Sequence, residues 1–366
     1  MQARMFALEL AHARASGWLV EFRCAGVEMS DVRERKATRR ARLGRTDVEV
    51  TRLALGTAPL GGWPAATTPT TAHETIQAAW DAGLRFFDTA PLYGHGLSES
   101  WLGDVLATKP RAEFTLATKV GRLLRPVPPT EPMLFSGTPP VNPVFDFSYD
   151  GTMRSFEESL QRLRLPRVDV VHIHDPDDHY DEAIRGAYRA LYSLRRDGVV
   201  RAIGAGMNQS QMLTRFAVEG EFDCFLLAGR YTLLEQGALD DLLPTCLERG
   251  ISVIAGGVFN SGVLINPVPG AHYNYAPADP EIVERCRQIV EVCTRHGVPV
   301  KAAALQFPLA HPAVACVLTG VRSPSELMEN LEAFEFPIPS DLWTELKHRG
   351  LLAENAPVPS EAQDGP

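Results

Sequence analysis

Eight short apolar segments alternate with helical patterns from about residue 50 onward, and this alternation constrains the fold more than any other feature. Most segments are continuous runs of Val, Ile, Leu, Phe and Ala, as expected for parallel strands that are covered on both faces. A strand–helix unit repeated eight times with right-handed connections predicts a (β/α)8 barrel, the TIM barrel of the α/β class. The predicted strands are residues 52–57, 85–89, 114–120, 168–174, 202–206, 224–229, 252–256 and 315–319.

The segments around this repeat predict how the barrel is closed and where its loops lie. The sequence RRARLGRTDVEV, residues 39–50, predicts an N-terminal hairpin that closes the bottom of the barrel. Thr71, followed three residues later by Glu74, has the spacing of a capping box and predicts the start of the first helix. Residues 123–150 and 260–278 form long loops after the third and seventh strands, and such loops at the C-terminal face of a barrel are typical of lids.

Charge and composition exclude several classes of partner. The 366 residues carry 36 Lys and Arg against 45 Asp and Glu, a net charge of −9, so no basic surplus is present to bind nucleic acid. No apolar run of about 18 residues predicts a membrane span. The six cysteines show no metal-ligand spacing, which predicts a reduced, cytoplasmic protein. We interpret residues 1–36 as an extension that need not be ordered, with Met29 as good a start as Met1, and residues 37–366 as one barrel domain.

Polar residues end three neighbouring predicted strands, at the edge where barrel enzymes collect their catalytic groups. These residues are Asp88, Lys119 and His174, and Tyr93 follows Asp88 in the loop PLYGHG. Each alone has an ordinary structural explanation, such as a helix cap, a side chain at the rim or a loop aromatic. Their convergence on adjacent strand ends indicates a site.

These residue types can form an acid/base without a metal. The pKa of a free tyrosine is about 10, and a nearby lysine ammonium lowers it by favouring the phenolate. A buried lysine needs a carboxylate partner, which Asp88 can supply. His174 can orient a substrate oxygen by a hydrogen bond and complete a proton-transfer site.

The stretch HIHDPDDH, residues 172–179, makes a metal site the rival interpretation. His172 and His174 share a face of their strand because alternate residues do so, and metal-dependent hydrolase barrels also use His-x-His pairs. Such a site needs further histidines and an aspartate at later strand ends, and none of the other histidines ends a later strand. We predict no metal, with His174 active and His172 a core histidine one layer below.

The chain resembles the aldo-keto reductase superfamily from about residue 40 to 350. The resemblance rests on the order and spacing of LALGTAPLGG, GLRFFDTAPLYGHGLSESWLGDVL, TLATKVGR, RSFEESLQRLRLPRVDVVHIHDPD, GVVRAIGAGMNQ and SPSELMENL. It implies a nicotinamide cofactor across the strand ends and a catalytic tetrad of Asp88, Tyr93, Lys119 and His174. Within the superfamily, TAPLGG, FDFSYDGTMRSFEESL, IHDPD and AGRYTLL are most similar to the L-fucose and D-threo-aldose 1-dehydrogenases, with pyridoxal 4-dehydrogenase and L-galactose dehydrogenase also alike.

The same resemblance implies which residues contact the cofactor. Asn208 is expected to hold the carboxamide and Tyr231 to stack on the nicotinamide ring. The chain departs from the family where Gly-Met-Asn replaces the usual Ser-Asn pair, and at Ala228, where a glutamine is usual. Glu326 favours NAD because a carboxylate repels a 2′-phosphate, whereas Arg322 leaves NADP open. The full set of expected contacts is Gly56, Thr57, Asp88, Asn208, Tyr231, Gly320, Arg322, Ser323, Glu326 and Asn330.

The resemblance therefore predicts an NAD- or NADP-dependent oxidoreductase that oxidises an aldose at C1 to the lactone, with Tyr93 as the acid/base. The expected substrates are of the L-fucose, D-arabinose or L-galactose type. Pyridoxal oxidation and general aldehyde or ketone reduction are alternatives, as is a non-catalytic barrel that serves as a binding subunit. The intact tetrad argues against the non-catalytic barrel. No oligomeric state is predicted.

Overall fold

Short strands and longer helices alternate through the computed structural model, which describes residues 35–129, 134–274 and 276–360. In chain order, the strands of the described residues are β1 (Arg40–Arg42), β2 (Glu49–Thr51), β3 (Leu53–Gly56), β4 (Phe86–Asp88), β5 (Thr115–Val120), β6 (Arg122–Arg125), β7 (Asn142–Phe145), β8 (Val170–His174), β9 (Ala202–Met207), β10 (Cys224–Ala228), β11 (Ser252–Gly256), β12 (His272–Tyr273), β13 (Ala276–Pro277) and β14 (Val314–Gly320).

Eight of these strands close into a parallel barrel in the order β3, β4, β5, β8, β9, β10, β11 and β14, and β14 pairs back onto β3. Every residue of β5, β8 and β9 is buried, because side chains on one face fill the barrel and those on the other pack against helices. Each predicted strand segment overlaps one barrel strand, so the predicted (β/α)8 barrel is confirmed.

The helices cover the outside of the barrel, and a π-helical turn, Ala183–Ala187, joins the fourth and fifth of them. They are α1 (Pro69–Asp81), α2 (Leu97–Leu106), α3 (Tyr149–Leu163), α4 (Tyr180–Glu182), α5 (Tyr188–Arg196), α6 (Ser210–Glu219), α7 (Leu242–Arg249), α8 (Pro280–Arg295), α9 (Val300–Gln306), α10 (Pro324–Glu335) and α11 (Ser340–His348).

The first helix begins earlier than the capping-box prediction placed it. Thr68 is the N-cap of α1, and its hydroxyl accepts a hydrogen bond from the backbone N–H of Thr71 at 3.1 Å. Pro69 occupies the first helical position, where its fixed φ and missing N–H are best tolerated. The prediction that the helix starts at Thr71 is therefore wrong by one turn.

The hairpin predicted at the bottom of the barrel is confirmed. β1 and β2 pair antiparallel, with Arg40 opposite Thr51. Leu43, Val48 and Val50 from this hairpin are buried in the same apolar cluster as the side chains inside the barrel. This end of the barrel is thus filled with hydrocarbon, so a ligand must enter from the opposite, C-terminal face.

The two long loops contain more structure than the sequence indicated. The segment after the third barrel strand forms the antiparallel hairpin of β6 and β7, and α3 already begins at Tyr149. The segment after the seventh barrel strand contains the two-residue strands β12 and β13. Both segments follow the C-terminal ends of barrel strands, as expected for loops over a binding face.

The prediction for residues 1–36 falls almost wholly outside the described residues. Lys36 and Ala37 are described, and their backbone N–H groups donate to the carboxylate of Glu335 at 3.1 and 2.9 Å. Among the described helices, none is long and apolar enough to cross a membrane.

Candidate active site

Asp88, Lys119 and His174 lie together at the C-terminal end of the barrel. They belong to the neighbouring strands β4, β5 and β8, which run parallel, so their carboxyl ends meet at one edge. Inside a barrel, alternate residues of each strand point to the interior. The structure therefore brings together the three strand-end residues that the sequence predicted.

Lys119 and Asp88 form a buried ion pair, and each side chain is only 1% exposed. Lys119 Nζ lies 2.5 Å from Asp88 Oδ1 and donates a second hydrogen bond to the backbone oxygen of Thr89 at 2.9 Å. Burial raises the pKa of the Asp88 carboxyl, and the lysine ammonium opposes this shift. Neither charge could be held in this interior without the other.

Tyr93 is positioned by a tight turn directly after β4. The turn packs against the neighbouring loop so closely that a Cβ at Gly94 would lie 2.4 Å from the backbone oxygen of Gly61, so only glycine fits there. Lys119 Nζ lies 4.7 Å from the centroid of the Tyr93 ring, and the His174 ring stands perpendicular to it at a centroid distance of 5.7 Å. The four members of the predicted tetrad thus form one connected cluster, from Asp88 through Lys119 and Tyr93 to His174.

His174 is held in its neutral form. Burial lowers its pKa well below the ordinary value, and the charges of Arg122 and Lys119 lower it further. Its Nε2 lies 3.3 Å from Asp175 Oδ2. A neutral imidazole that presents an N–H toward the cavity can donate a hydrogen bond to a substrate oxygen.

His172 lies one layer below, as predicted for a core histidine. It is 0% exposed, and neither ring nitrogen has a hydrogen-bond partner in the described part of the chain. Burial lowers its pKa to about 3, with a further contribution from Lys119. Over the described residues, no group of three or more His, Cys, Asp and Glu side chains could hold a metal ion.

The depressed pKa of His172 predicts a pH-dependent stability. Below the unfolded-state pKa of about 6.5 the unfolded chain takes up a proton that the folded chain refuses, so stability is complete above this pH and falls with acidification. Between pH 7.5 and pH 5.0 the free energy of unfolding should fall by about 2 kcal/mol less in His172→Leu than in the wild type. Urea unfolding at the two pH values measures this difference. The exposed His348→Leu is the matched control. Equal pH slopes in His172→Leu and the wild type would contradict the assignment.

A cavity of about 950 Å³ opens above the tetrad. Tyr93, Lys119 and His174 line it, and it continues past the C-terminal end of β14. Five of the residues expected to contact a cofactor line the same cavity: Asn208, Gly320, Arg322, Glu326 and Asn330.

None of the five remaining expected contacts lines the cavity: Gly56, Thr57, Asp88, Tyr231 and Ser323. Gly56 and Thr57 are buried, and the Thr57 hydroxyl donates to the backbone oxygen of Asp88 at 2.9 Å. The Ser323 hydroxyl accepts from the N–H of Glu326 at 3.3 Å and caps α10. Gly56, Thr57 and Ser323 therefore stabilise the backbone around the cavity and do not line it.

Tyr231 is the clearest departure from the expected set. It is 1% exposed, and its ring packs against Phe307 and His311 at centroid distances of 5.2 and 5.8 Å. The expected stacking of Tyr231 on a nicotinamide ring does not fit this position, because the buried ring does not line the cavity. Phe259, which follows β11, lines the cavity instead.

Several charged residues of the cavity were missed by sequence reasoning. Arg122 opens β6 and is almost fully buried beside His174, and Asp175 directly follows that histidine. Lys301 comes from α9 and pairs with Glu329 at 2.8 Å. The signal for Asp175 was its place after a strand-end histidine, whereas Lys301 carries no local sequence signal.

Comparisons with known proteins agree with this geometry. The model of the aldo/keto reductase family matches residues 52–349. Pyridoxal 4-dehydrogenase of Microbacterium luteolum is 42% identical over 340 residues, 87% of this chain and 99% of that protein. D-threo-aldose 1-dehydrogenase of a Pseudomonas species is 42% identical over 312 residues, 82% of this chain and 94% of that protein. An aldo-keto reductase from Bacillus halodurans, solved in its holo form, superposes with a TM-score of 0.68 at 25% identity, covering 88% of this chain and 99% of that one.

A closed parallel barrel with an Asp–Lys–Tyr–His cluster at its C-terminal face defines an oxidoreductase of the aldo-keto type. The chain belongs to the aldo/keto reductase family, whose members act with nicotinamide cofactors.

Proposed function

We propose that this chain is an NAD(P)-dependent aldose 1-dehydrogenase, which oxidises a sugar in its cyclic hemiacetal form to the lactone. The observation that carries the proposal is the buried Asp88–Lys119 pair, which lies beside Tyr93 and His174 at the floor of a large cavity. A buried ion pair is costly to maintain in a barrel core, and its contact with a cavity-lining phenol is what an acid/base requires.

Three small residues of the cavity wall fit a nicotinamide cofactor. Gly206, Ala228 and Gly257 line the cavity, and a methyl group added at Gly206 would lie 3.7 Å from Lys119 Cε. This floor of small residues leaves room for a planar ring. Asn208 would hold its carboxamide, and Arg322 would contact the adenosine end. When bound, the cofactor supplies the ring carbon that accepts hydride.

Each protein group then has a separate role at the reacting carbon. Tyr93, as the phenolate, takes the proton of the C1 hydroxyl as the C1–H bond breaks with its electron pair and the C=O bond forms. The ammonium of Lys119 stabilises the negative charge on the tyrosine oxygen, and Asp88 keeps this lysine charged. The neutral His174 donates its Nε2–H to the substrate oxygen and fixes its direction.

This chemistry favours hemiacetals over free aldehydes. Hydride loss from a free aldehyde would need a covalent nucleophile or an added water, and no cysteine of the described chain lines the cavity. An aldose and pyridoxal both carry a hydroxyl that can close onto the aldehyde, so both present a C–OH group to Tyr93. Pyridoxal is therefore the second candidate, in keeping with the name of one 42% identical relative.

The proposal is tested by the appearance of reduced cofactor at 340 nm, the usual near-ultraviolet absorbance of reduced nicotinamides. Purified protein is given L-fucose, D-arabinose, L-galactose or pyridoxal with NAD or NADP, and the first product is identified by NMR. We expect turnover of at least one sugar and release of its lactone. Turnover of pyridoxal with no activity on any sugar would assign the second candidate instead.

The cofactor preference depends on an ion pair at the end of β14. Arg322 Nη2 lies 2.9 Å from Glu326 Oε1. The guanidinium that could bind a 2′-phosphate is therefore already paired with this carboxylate. Glu326→Lys should raise the ratio of kcat/KM for NADP to that for NAD by about 10- to 100-fold, the value of a charge-assisted hydrogen bond. Glu332→Lys on the exposed side of α10 is the control. The argument for NAD fails if both variants leave the ratio unchanged.

A further inference from the structure

A second ion pair lies in the cavity next to the tetrad. Arg122 is 6% exposed, and its guanidinium donates to the backbone oxygen of His174 at 3.0 Å. The same guanidinium stacks on the ring of Phe145, with Arg122 Cζ 4.6 Å from the ring centroid. Arg122 is therefore fixed by the strand-end backbone on one side and by an aromatic ring on another, while part of it lines the cavity.

Asp175 lies between this arginine and the catalytic histidine. Its Oδ2 is 3.5 Å from Arg122 Nη2 and 3.3 Å from His174 Nε2. The backbone of Asp175 has φ of +42°, a left-handed conformation that non-glycine residues adopt at a cost. The chain thus accepts a strained backbone at a residue that places a carboxylate beside His174.

The pair offers both kinds of hydrogen-bonding partner at one point. A carboxylate only accepts hydrogen bonds and has about four acceptor positions, whereas a guanidinium only donates. Asp175 Oδ2 lies 3.5 Å from Arg122 Nη2 and both residues line the cavity, so an acceptor and a donor lie side by side on its wall. A hydroxyl group, which both donates and accepts, is the substituent that satisfies the two together.

The position of the pair determines which hydroxyl it meets. In the proposed mechanism the reacting oxygen is bound between Tyr93 and His174, whose rings lie 5.7 Å apart, and Asp175 Oδ2 is 3.3 Å from Nε2 of that histidine. A substituent on the next carbon would then be within reach of Asp175 and Arg122, which line the cavity beside His174. The opposite charges of the pair compensate each other, so a neutral hydroxyl suits it better than an anionic group.

We infer that Arg122 and Asp175 form a subsite for the hydroxyl on the carbon next to the reacting carbon, so that the enzyme selects α-hydroxy hemiacetals. This inference rests on the proposed function and adds the substrate feature that is recognised. An aldose carries this hydroxyl at C2, whereas the aromatic carbon next to the reacting carbon of pyridoxal carries none.

The test compares an aldose with its 2-deoxy analogue in the wild type and in Asp175→Asn. D-arabinose and 2-deoxy-D-ribose are such a pair, and L-fucose with 2-deoxy-L-fucose is another. Asparagine tolerates left-handed backbone, so the substitution removes the charge and retains the shape. We expect the wild type to prefer the parent sugar by about 10- to 100-fold in kcat/KM, and Asp175→Asn to lose about that factor on the parent with a less than about 3-fold change on the 2-deoxy sugar.

Two further variants separate recognition from folding. Asp104→Asn removes an exposed carboxylate that pairs with Arg164 outside the cavity, and it should leave both substrates unchanged. Arg122→Lys keeps the charge but not the planar fork, and it should show the same selective loss as Asp175→Asn. Cofactor binding by fluorescence and the melting temperature report on the fold of each variant.

The outcomes distinguish this inference from the function on which it rests. Equal losses on both sugars in Asp175→Asn, or equal kcat/KM for both sugars in the wild type, would overturn the subsite while leaving the dehydrogenase intact. No turnover of any aldose by the wild type would overturn the proposed function and the subsite together.

Discussion

Tyr93→Phe is expected to lower kcat by about 10³-fold, within the range that a positioned acid/base contributes. The substitution removes only the hydroxyl that exchanges the proton with the substrate. The ring remains to contact His174 and Phe135, whose centroids lie 5.7 and 6.0 Å from the Tyr93 ring. The loss should therefore appear in single-turnover rates of cofactor reduction, with little change in cofactor affinity.

The control for this variant is Tyr192→Phe, which removes an exposed hydroxyl from α5. Its kcat should equal that of the wild type. Acid/base catalysis contributes at least roughly 100-fold to the rate. If kcat of Tyr93→Phe stayed within about 3-fold of the wild type, the proton transfer would belong to another group.

Lys119→Met is expected to lower the free energy of unfolding by about 3–5 kcal/mol and to abolish turnover. It leaves the carboxylate of Asp88 buried without its cation, since the lysine ammonium lies 2.5 Å away in the wild type. The double variant Asp88→Leu/Lys119→Met removes both charges and should recover most of the stability but none of the activity. Urea unfolding and the spectrophotometric assay measure the two effects separately.

The pH dependence of this variant has a definite sign. Burial raises the pKa of Asp88, and without the ammonium nothing opposes that shift. The folded variant then binds a proton at Asp88 more tightly than the unfolded chain does, so the stability of the variant falls as pH rises. The loss of stability relative to the wild type therefore shrinks toward pH 4, near the unfolded-state pKa of about 3.9. A pH-independent loss would mean that lost packing, and not the unpaired carboxylate, destabilises the variant.

The barrel and the positions of three residues of the candidate site were predictable because both depend on local patterns. Continuous apolar segments mark buried parallel strands, and a charged residue at the end of such a segment is conspicuous. Asp88, Lys119 and His174 meet this description. Tyr93 was found through its distance from Asp88 and through the family resemblance.

The other residues of the candidate site depend on the path of the backbone between elements, which no local sequence pattern indicates. Tyr231 resembles a ring-stacking residue in sequence, yet the turn after β10 buries it against Phe307. Arg122 lies three residues after Lys119 and was given no role by the sequence, whereas it opens the β6–β7 hairpin. Lys301 reaches the cavity from a helix whose other residues are mostly apolar and buried.

The β6–β7 hairpin has a consequence for how this enzyme can diversify. Its first residue, Arg122, donates to the backbone oxygen of His174, while Phe135, in the segment between its two strands, lines the cavity. Exchange of this segment would reshape the outer part of the cavity and leave Tyr93, Lys119 and His174 in place. Replacing this one hairpin can therefore change which substrates bind without altering the residues proposed to transfer the proton.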